Sequence, residues 1–206
     1  MAYRQVSFAV GEYFHCYTRG IDKRVTFQDE QDYARFIQCL YVCNDVRPFR
    51  RDALISHVHT SLLRIERHPP LVAILASRLM PTRKLGTAYT MYFNAKNERI
   101  GGLFVRPFRA KHIDDDAYIK QVIQYVHLNP AELYEPEWKK GVIKNMRSLK
   151  QNLGTYPYSS FQDFNGAQRA ERSILDQMTI QSLYDNIPSL SESIEGAADY
   201  YAHLRW

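Results

Sequence analysis

Hydrophobic spacing changes period several times along this chain, and each change limits the element that can form there. Residues 7–18, SFAVGEYFHCYT, are β-branched and aromatic and end at Arg19-Gly20, so they read as a strand and turn. Asp29 stands where a helix N-cap belongs. Tyr33, Phe36, Ile37, Leu40 and Tyr41 then follow the i, i+3, i+4, i+7, i+8 rule of one buried helical stripe, to about Cys43. Residues 44–70 are mixed and close on Pro69-Pro70. The continuous apolar run LVAILA at 71–76 suits a central strand buried on both faces. Residues 83–97 return to helical spacing, and Gly101-Gly102 turns the chain into an aromatic and basic stretch, LFVRPFRAKHI. Asp114-Asp115-Asp116 supplies a cap and a negative first turn for a helix of about Asp116 to Leu128, closed by Asn129-Pro130. Strands and helices in alternation predict an α+β fold. The expected division is a domain over 1–158 and a polar, partly helical C-terminal extension over 159–206.

Composition excludes several classes. With 45% hydrophobic and 24% charged residues, the chain is no disordered polyelectrolyte. Cys16, Cys39 and Cys43 are too few and too irregular for a disulfide framework or a CxxC zinc site, and read as reduced thiols. No signal-like apolar segment opens the sequence, and no stretch nears the roughly 18 apolar residues of a membrane span. A cytoplasmic protein without a membrane partner is the expectation.

Charge is distributed unevenly. Between Arg78 and Ile113 lie Arg78, Arg83, Lys84, Lys96, Arg99, Arg106, Arg109 and Lys111 against the single acid Glu98, a local charge of +7 in a chain of net +5. Tyr89, Tyr92, Phe93, Phe104 and Phe108 are interleaved with these bases. Cations among flat rings suit single-stranded nucleic acid, whose phosphates take the charge while exposed bases stack. The same pattern also suits a solvated basic face over core rings, and Tyr89, Tyr92 and Phe93 at helical spacing read as core.

On the helix 116–129, Tyr125 and Asn129 are i and i+4 and share a face. A tyrosine beside a polar ligand is the arrangement a phosphotyrosine-forming nuclease requires, since a metal can polarise the phosphate that the phenolate attacks. A packed tyrosine followed by an Asn helix end has the same spacing.

Five segments occur in order over about residues 10–175: FHCYTRGIDKRVTF with the acidic helix QDYARFIQCLY; PLVAILASRLMP; KLGTAYTMYFNAKNERIGGLFVRPFRAKHI; DDDAYIKQVIQYVHLNP; and YPYSSFQDF. Together they resemble the REP-associated tyrosine transposases, a branch of the single-tyrosine HUH transposases. The resemblance implies a ferredoxin-like α+β core, usually dimeric, that binds hairpin-bearing single-stranded DNA. It also implies cutting and rejoining through a 5′-phosphotyrosine with Mg²⁺ or Mn²⁺. On that resemblance Tyr125 matches the nucleophile and Asn129 a contributor to the metal site. His127 is an adjacent metal candidate, although i+2 points it away from Tyr125. Arg106, Phe108, Arg109 and Lys111 match the basic hairpin before the catalytic helix, and Arg83, Lys84, Lys96 and Arg99 extend the DNA-binding set.

One family feature is missing from its place. Where relatives continue from Leu-Met-Pro into Asn-His-hydrophobic-His and a further strand, this chain passes from Leu79-Met80-Pro81 directly to Thr82-Arg83-Lys84-Leu85-Gly86. Two imidazoles at i and i+2 on one strand face would supply most of the metal's ligands. Without them a tyrosine of ordinary pKa near 10 is a poor nucleophile at neutral pH. His57-Val58-His59 repeats the His-hydrophobic-His pattern upstream of the apolar run, and is the candidate replacement pair. His15, His68, His112 and His203 are scattered singly and read as structural.

Overall fold

The computed structural model describes residues 7–46, 70–76 and 83–203. The fold is α+β, with a two-stranded antiparallel sheet and seven α-helices among the described residues. No helix there is long and apolar enough to cross a membrane. The chain divides into two compact units, Met1–Ala73 with Leu79–Asp114, and Ile74–Arg78 with Asp115–Trp206.

The first unit holds strands β1 (Tyr13–Tyr17) and β2 (Arg109–Ile113) and helices α1 (Glu30–Cys43) and α2 (Arg83–Lys96). Asp29 caps α1 as expected, its carboxylate accepting the Asp32 N–H at 3.0 Å. The buried face of α1 is turned from the expected stripe. Phe36, Leu40 and Tyr41 are buried, but Tyr33 and Ile37 are only half-buried, and Asp32, Arg35, Cys39 and Cys43 go inside. Leu85, Ala88, Tyr89 and Phe93, at helical spacing, form the matching face of α2. Tyr89 lies at the centre of this core, 5.1 Å from Phe36 and 5.2 Å from Phe27, ring to ring. Its hydroxyl donates to the Thr26 carbonyl at 2.7 Å, so the buried phenol keeps a partner. Burial pushes the Cys39 and Cys43 thiols up to about 12 and about 11, so both stay protonated.

A charged network joins the two helices. Asp32 is fully buried, and its carboxylate accepts from Lys96 Nζ at 2.7 Å, the Tyr92 hydroxyl at 3.0 Å and the Gln28 N–H at 2.8 Å. Lys96 also reaches Asp29 at 2.6 Å, which holds the Asp29 carboxyl below its usual range. Burial, with the Asp32 bond, pushes the Tyr92 phenol up to about 12. The Asp29 and Asp32 carboxylates and the Tyr92 phenol are thereby all satisfied, as buried polar groups require.

The apolar run at 71–76 does not form the expected central strand. Leu71 and Val72 are about half exposed, and only Ile74 and Ala76 are buried. The Asn44 side chain brackets Val72 instead, accepting its N–H at 3.0 Å and donating to its carbonyl at 2.9 Å. Ile74 then belongs to the second unit, where its carbonyl accepts the Asp176 N–H at 2.8 Å. Backbone groups claimed by a side chain and by a helix cap are unavailable to a sheet ladder.

The second unit is helical: α3 (Asp116–Leu128), α4 (Met146–Thr155), α5 (Phe161–Phe164), α6 (Gln177–Leu183) and α7 (Leu190–His203). Asp115 caps α3 by accepting the Tyr118 N–H at 2.8 Å, and Asn129-Pro130 leads into a short 3₁₀ turn, Asn129–Leu133. Leu128, Ala131, Trp138, Leu149, Leu153, Ile194 and Ala197 make one buried cluster. The expected boundary at 158/159 falls inside this unit, because α7 contributes Ile194 and Ala197 to the same core as α3. The YPYSSFQDF segment is held by Arg169, which grips Asp163 through Nε at 2.9 Å and donates to the Pro157 and Ser159 carbonyls at 3.0 Å.

Candidate nucleic-acid interface

β1 and β2 pair Tyr13 with Ile113, Phe14 with His112, His15 with Lys111, Cys16 with Ala110 and Tyr17 with Arg109. Opposed residues of an antiparallel pair share a face, and successive residues alternate. One face of the ribbon therefore carries Tyr13, His15 and Tyr17 beside Lys111 and Arg109. The rings of His15 and Tyr17 lie 5.3 Å apart with 42° between their planes. Tyr17 is 44% exposed, and Arg109 and Lys111 are exposed. Burial and the Lys111 charge hold His15 below the usual histidine pKa, which keeps its ring neutral at neutral pH.

The opposite face is closed by its own side chains. Phe14 packs on His112 with rings 5.3 Å apart, and Phe8 meets Phe14 edge-on at 4.6 Å. His112 Nε2 is bonded to the Glu12 carboxylate. Phe108 stacks against Phe8 at 6.3 Å, so it joins this aromatic cluster and is half-buried.

Beyond Tyr17 the pairing resumes with a Gly20–Phe104 bridge, leaving two residues on one arm opposite four on the other. The longer arm runs Val105-Arg106-Pro107-Phe108, and Pro107 has no N–H to lend to a ladder. Arg106 is exposed there and donates to Thr87 Oγ1 at 3.3 Å.

The remaining bases sort into two groups. Lys84 is exposed, its Nζ 3.4 Å from the Asp45 carbonyl, and Arg83 opens α2. Lys96 serves the Asp29–Asp32 network, and Arg99 donates to Asn94 Oδ1 at 2.7 Å with its guanidinium 5.8 Å from the Phe93 ring centroid. Position in the basic run suggests phosphate contacts for these two, whereas the structure gives both an intramolecular role.

Tyr125 belongs to the other unit. It is half-buried and packs on the Leu128–Trp138 core, with Lys139 Nζ 5.9 Å from its ring centroid. Asn129 continues the helix turn and donates its backbone N–H to the Tyr125 carbonyl. His127 points into the core, 5.6 Å from Phe161 and 4.9 Å from Phe164, with Nε2 3.0 Å from Ser160 Oγ. Burial pushes its pKa down to about 3.

These donors do not fit a divalent cation. His127 is enclosed and bonded to Ser160, and Asn129 offers one neutral amide. Among the described residues no group of three His, Cys, Asp or Glu side chains able to hold a metal comes together. His57 and His59 lie outside the described residues.

Sequence reasoning missed His15 and Tyr17 as partners of the basic residues. The signal was present as alternation in EYFHCY, but the cations that complete the face come from about a hundred residues later. Comparison with protein-family models, with curated proteins and with solved structures found no match to this chain.

Proposed function

We propose that this chain is a single-stranded-DNA-binding protein of the tyrosine-transposase kind, which engages hairpin-bearing DNA through the β1–β2 ribbon. The observation that carries the reading is the register that sets Lys111 and Arg109 beside the half-buried ring of His15 and the exposed ring of Tyr17. Cations neutralise phosphate while rings take bases, the combination that nucleic acid in single-stranded form rewards. The charge of +7 between Arg78 and Ile113 supports it, as do the five ordered segments.

The same proposal includes a ferredoxin-like core reduced by the strand that would carry the paired histidines, a homodimer and a cytoplasmic location. In it the DNA is held without being cut. Tyr125 supports the helical core with its ring, and its described surroundings supply no imidazole pair to activate a phosphate.

A labelled single-stranded hairpin oligonucleotide tests both parts. In a native gel the protein is expected to retard the hairpin. In a denaturing gel after incubation with Mn²⁺, no covalent band is expected. Absence of retardation contradicts the binding reading. A covalent, Mn²⁺-dependent band that disappears in Tyr125→Phe contradicts the non-cutting reading and makes Tyr125 a nucleophile.

A further inference from the structure

Resting on that reading, we infer that a basic stretch of the second unit, with Lys144, Arg147 and Lys150 as its contacts, is a further DNA surface that holds the phosphate backbone of the hairpin's paired stem. From Trp138 to Gln162 the chain carries five cations, Lys139, Lys140, Lys144, Arg147 and Lys150, and no acid. Two of the five are matched from outside the stretch. Lys139 Nζ reaches the Glu132 carboxylate at 3.1 Å, and Lys140 pairs with Glu137. The other carboxylates at its borders are engaged as well. Glu135 is buried and accepts the Asn145 N–H at 2.8 Å, and Asp163 is buried and gripped by Arg169. Lys144, Arg147 and Lys150 are left with no hydrogen bond or ion pair to any described residue.

Helix α4 sets out these groups. Leu149 and Leu153 turn its apolar side into the core, and the exposed side carries Arg147, Ser148, Gln151 and Thr155. Lys150 follows Arg147 by three residues and is half-buried, a setting in which a lysine lays its methylenes on the surface and keeps its ammonium in water. Lys144 is exposed just before the Asn145 cap. Composition then selects the ligand. No residue of α4 is aromatic, so the helix gives an unpaired base nothing to stack on. Cations among neutral hydroxyls and amides are the groups that contact phosphate and sugar oxygens irrespective of sequence. A duplex presents one phosphate charge per about 1.7 Å of its axis, and each one neutralised contributes about −0.9 to the salt slope, against about −0.7 on a single strand. A cationic face without rings therefore gains most from a paired stem.

The test is fluorescence anisotropy of the full chain across a range of salt, with a short labelled blunt duplex and a labelled oligothymidylate as separate probes. Changing Lys144→Gln, Arg147→Gln and Lys150→Gln together is expected to make the duplex slope of log affinity against log salt shallower by about 2.7. Oligothymidylate affinity is expected to stay within about twofold of wild type. The charge-keeping set Lys144→Arg, Arg147→Lys and Lys150→Arg is expected to retain the wild-type duplex slope, which separates charge from folding. An unchanged duplex slope in the glutamine variant overturns the inference and leaves the ribbon reading intact. An equal loss on oligothymidylate overturns the assignment to the stem. Sedimentation with phosphatidylserine vesicles tests the other polyanion: capture of wild type but not of the glutamine variant, with the duplex slope unchanged, gives the stretch to a lipid surface and overturns the inference. Duplex binding that behaves as expected in a protein that ignores oligothymidylate contradicts the proposed function and supports this surface alone. Failure of wild type to bind either probe overturns both.

Discussion

Burial decides the character of His127. In sequence it stands two residues from Tyr125 and reads as a neighbouring ligand. In the fold its ring is enclosed by Phe161 and Phe164 and bonded to Ser160, thirty-three residues later. A side chain two positions along a helix points to a different face, and that much was legible from spacing alone. The identity of its partners was not, because they come from a separate helix. The enclosed ring has a consequence for stability. The folded pKa is depressed to about 3 against 6.5 for the free side chain. As pH falls from about 6.5 to about 3, the unfolded chain takes up a proton that the folded chain refuses, so stability is lost over that window. The difference between wild type and His127→Gln isolates this residue from titrating carboxylates. The urea midpoint of His127→Gln is expected to fall less than that of wild type between pH 7 and pH 5. Parallel decline in the two proteins would contradict the assignment.

At the scale of elements, local patterns carried the helices well. The Asp29 and Asp115 caps, the Asn129-Pro130 stop and the Leu85–Phe93 spacing all concern neighbours within a turn or two, where physical preference is local. Two features needed the third dimension. The apolar run at 71–76 looks like a buried strand, yet its backbone is bracketed by Asn44 and Asp176, so the ladder groups are spent elsewhere. Periodicity alone cannot distinguish these outcomes for a short apolar run. Lys96 reads as one more base in a positive stretch until Asp32, sixty-four positions away, is seen beneath it. Lys96→Ala therefore separates the two roles. Removing it strands a fully buried carboxylate, and the cost is expected to be about 2–3 kcal/mol, since Tyr92 and Gln28 still donate to Asp32. Chemical denaturation measures that loss. Oligonucleotide affinity at a temperature where the variant stays folded is expected to change less than twofold. A stable variant with weakened DNA binding would reverse the assignment.

The whole molecule divides into two compact units. The ribbon and its cations lie in the first unit, and Tyr125, Asn129 and His127 lie in the second. The α+β class was legible because alternating and helical periods both occur. The place of the C-terminal residues was not, because their polar composition hides the few apolar positions, Ile194 and Ala197, that complete the α3 core. The charge asymmetry, by contrast, was fully legible and leads to the central claim, that the basic ribbon binds single-stranded DNA by neutralising phosphates. Each phosphate neutralised on a single strand contributes about −0.7 to the slope of log affinity against log salt. The direct measurement is that slope for oligothymidylate binding by wild type and by the Arg106→Ala/Arg109→Ala double variant. The account predicts a steep negative slope in wild type, made shallower by about 1.4 when both guanidiniums are removed. An identical slope in the two proteins would contradict it, and would mean that these arginines face only solvent.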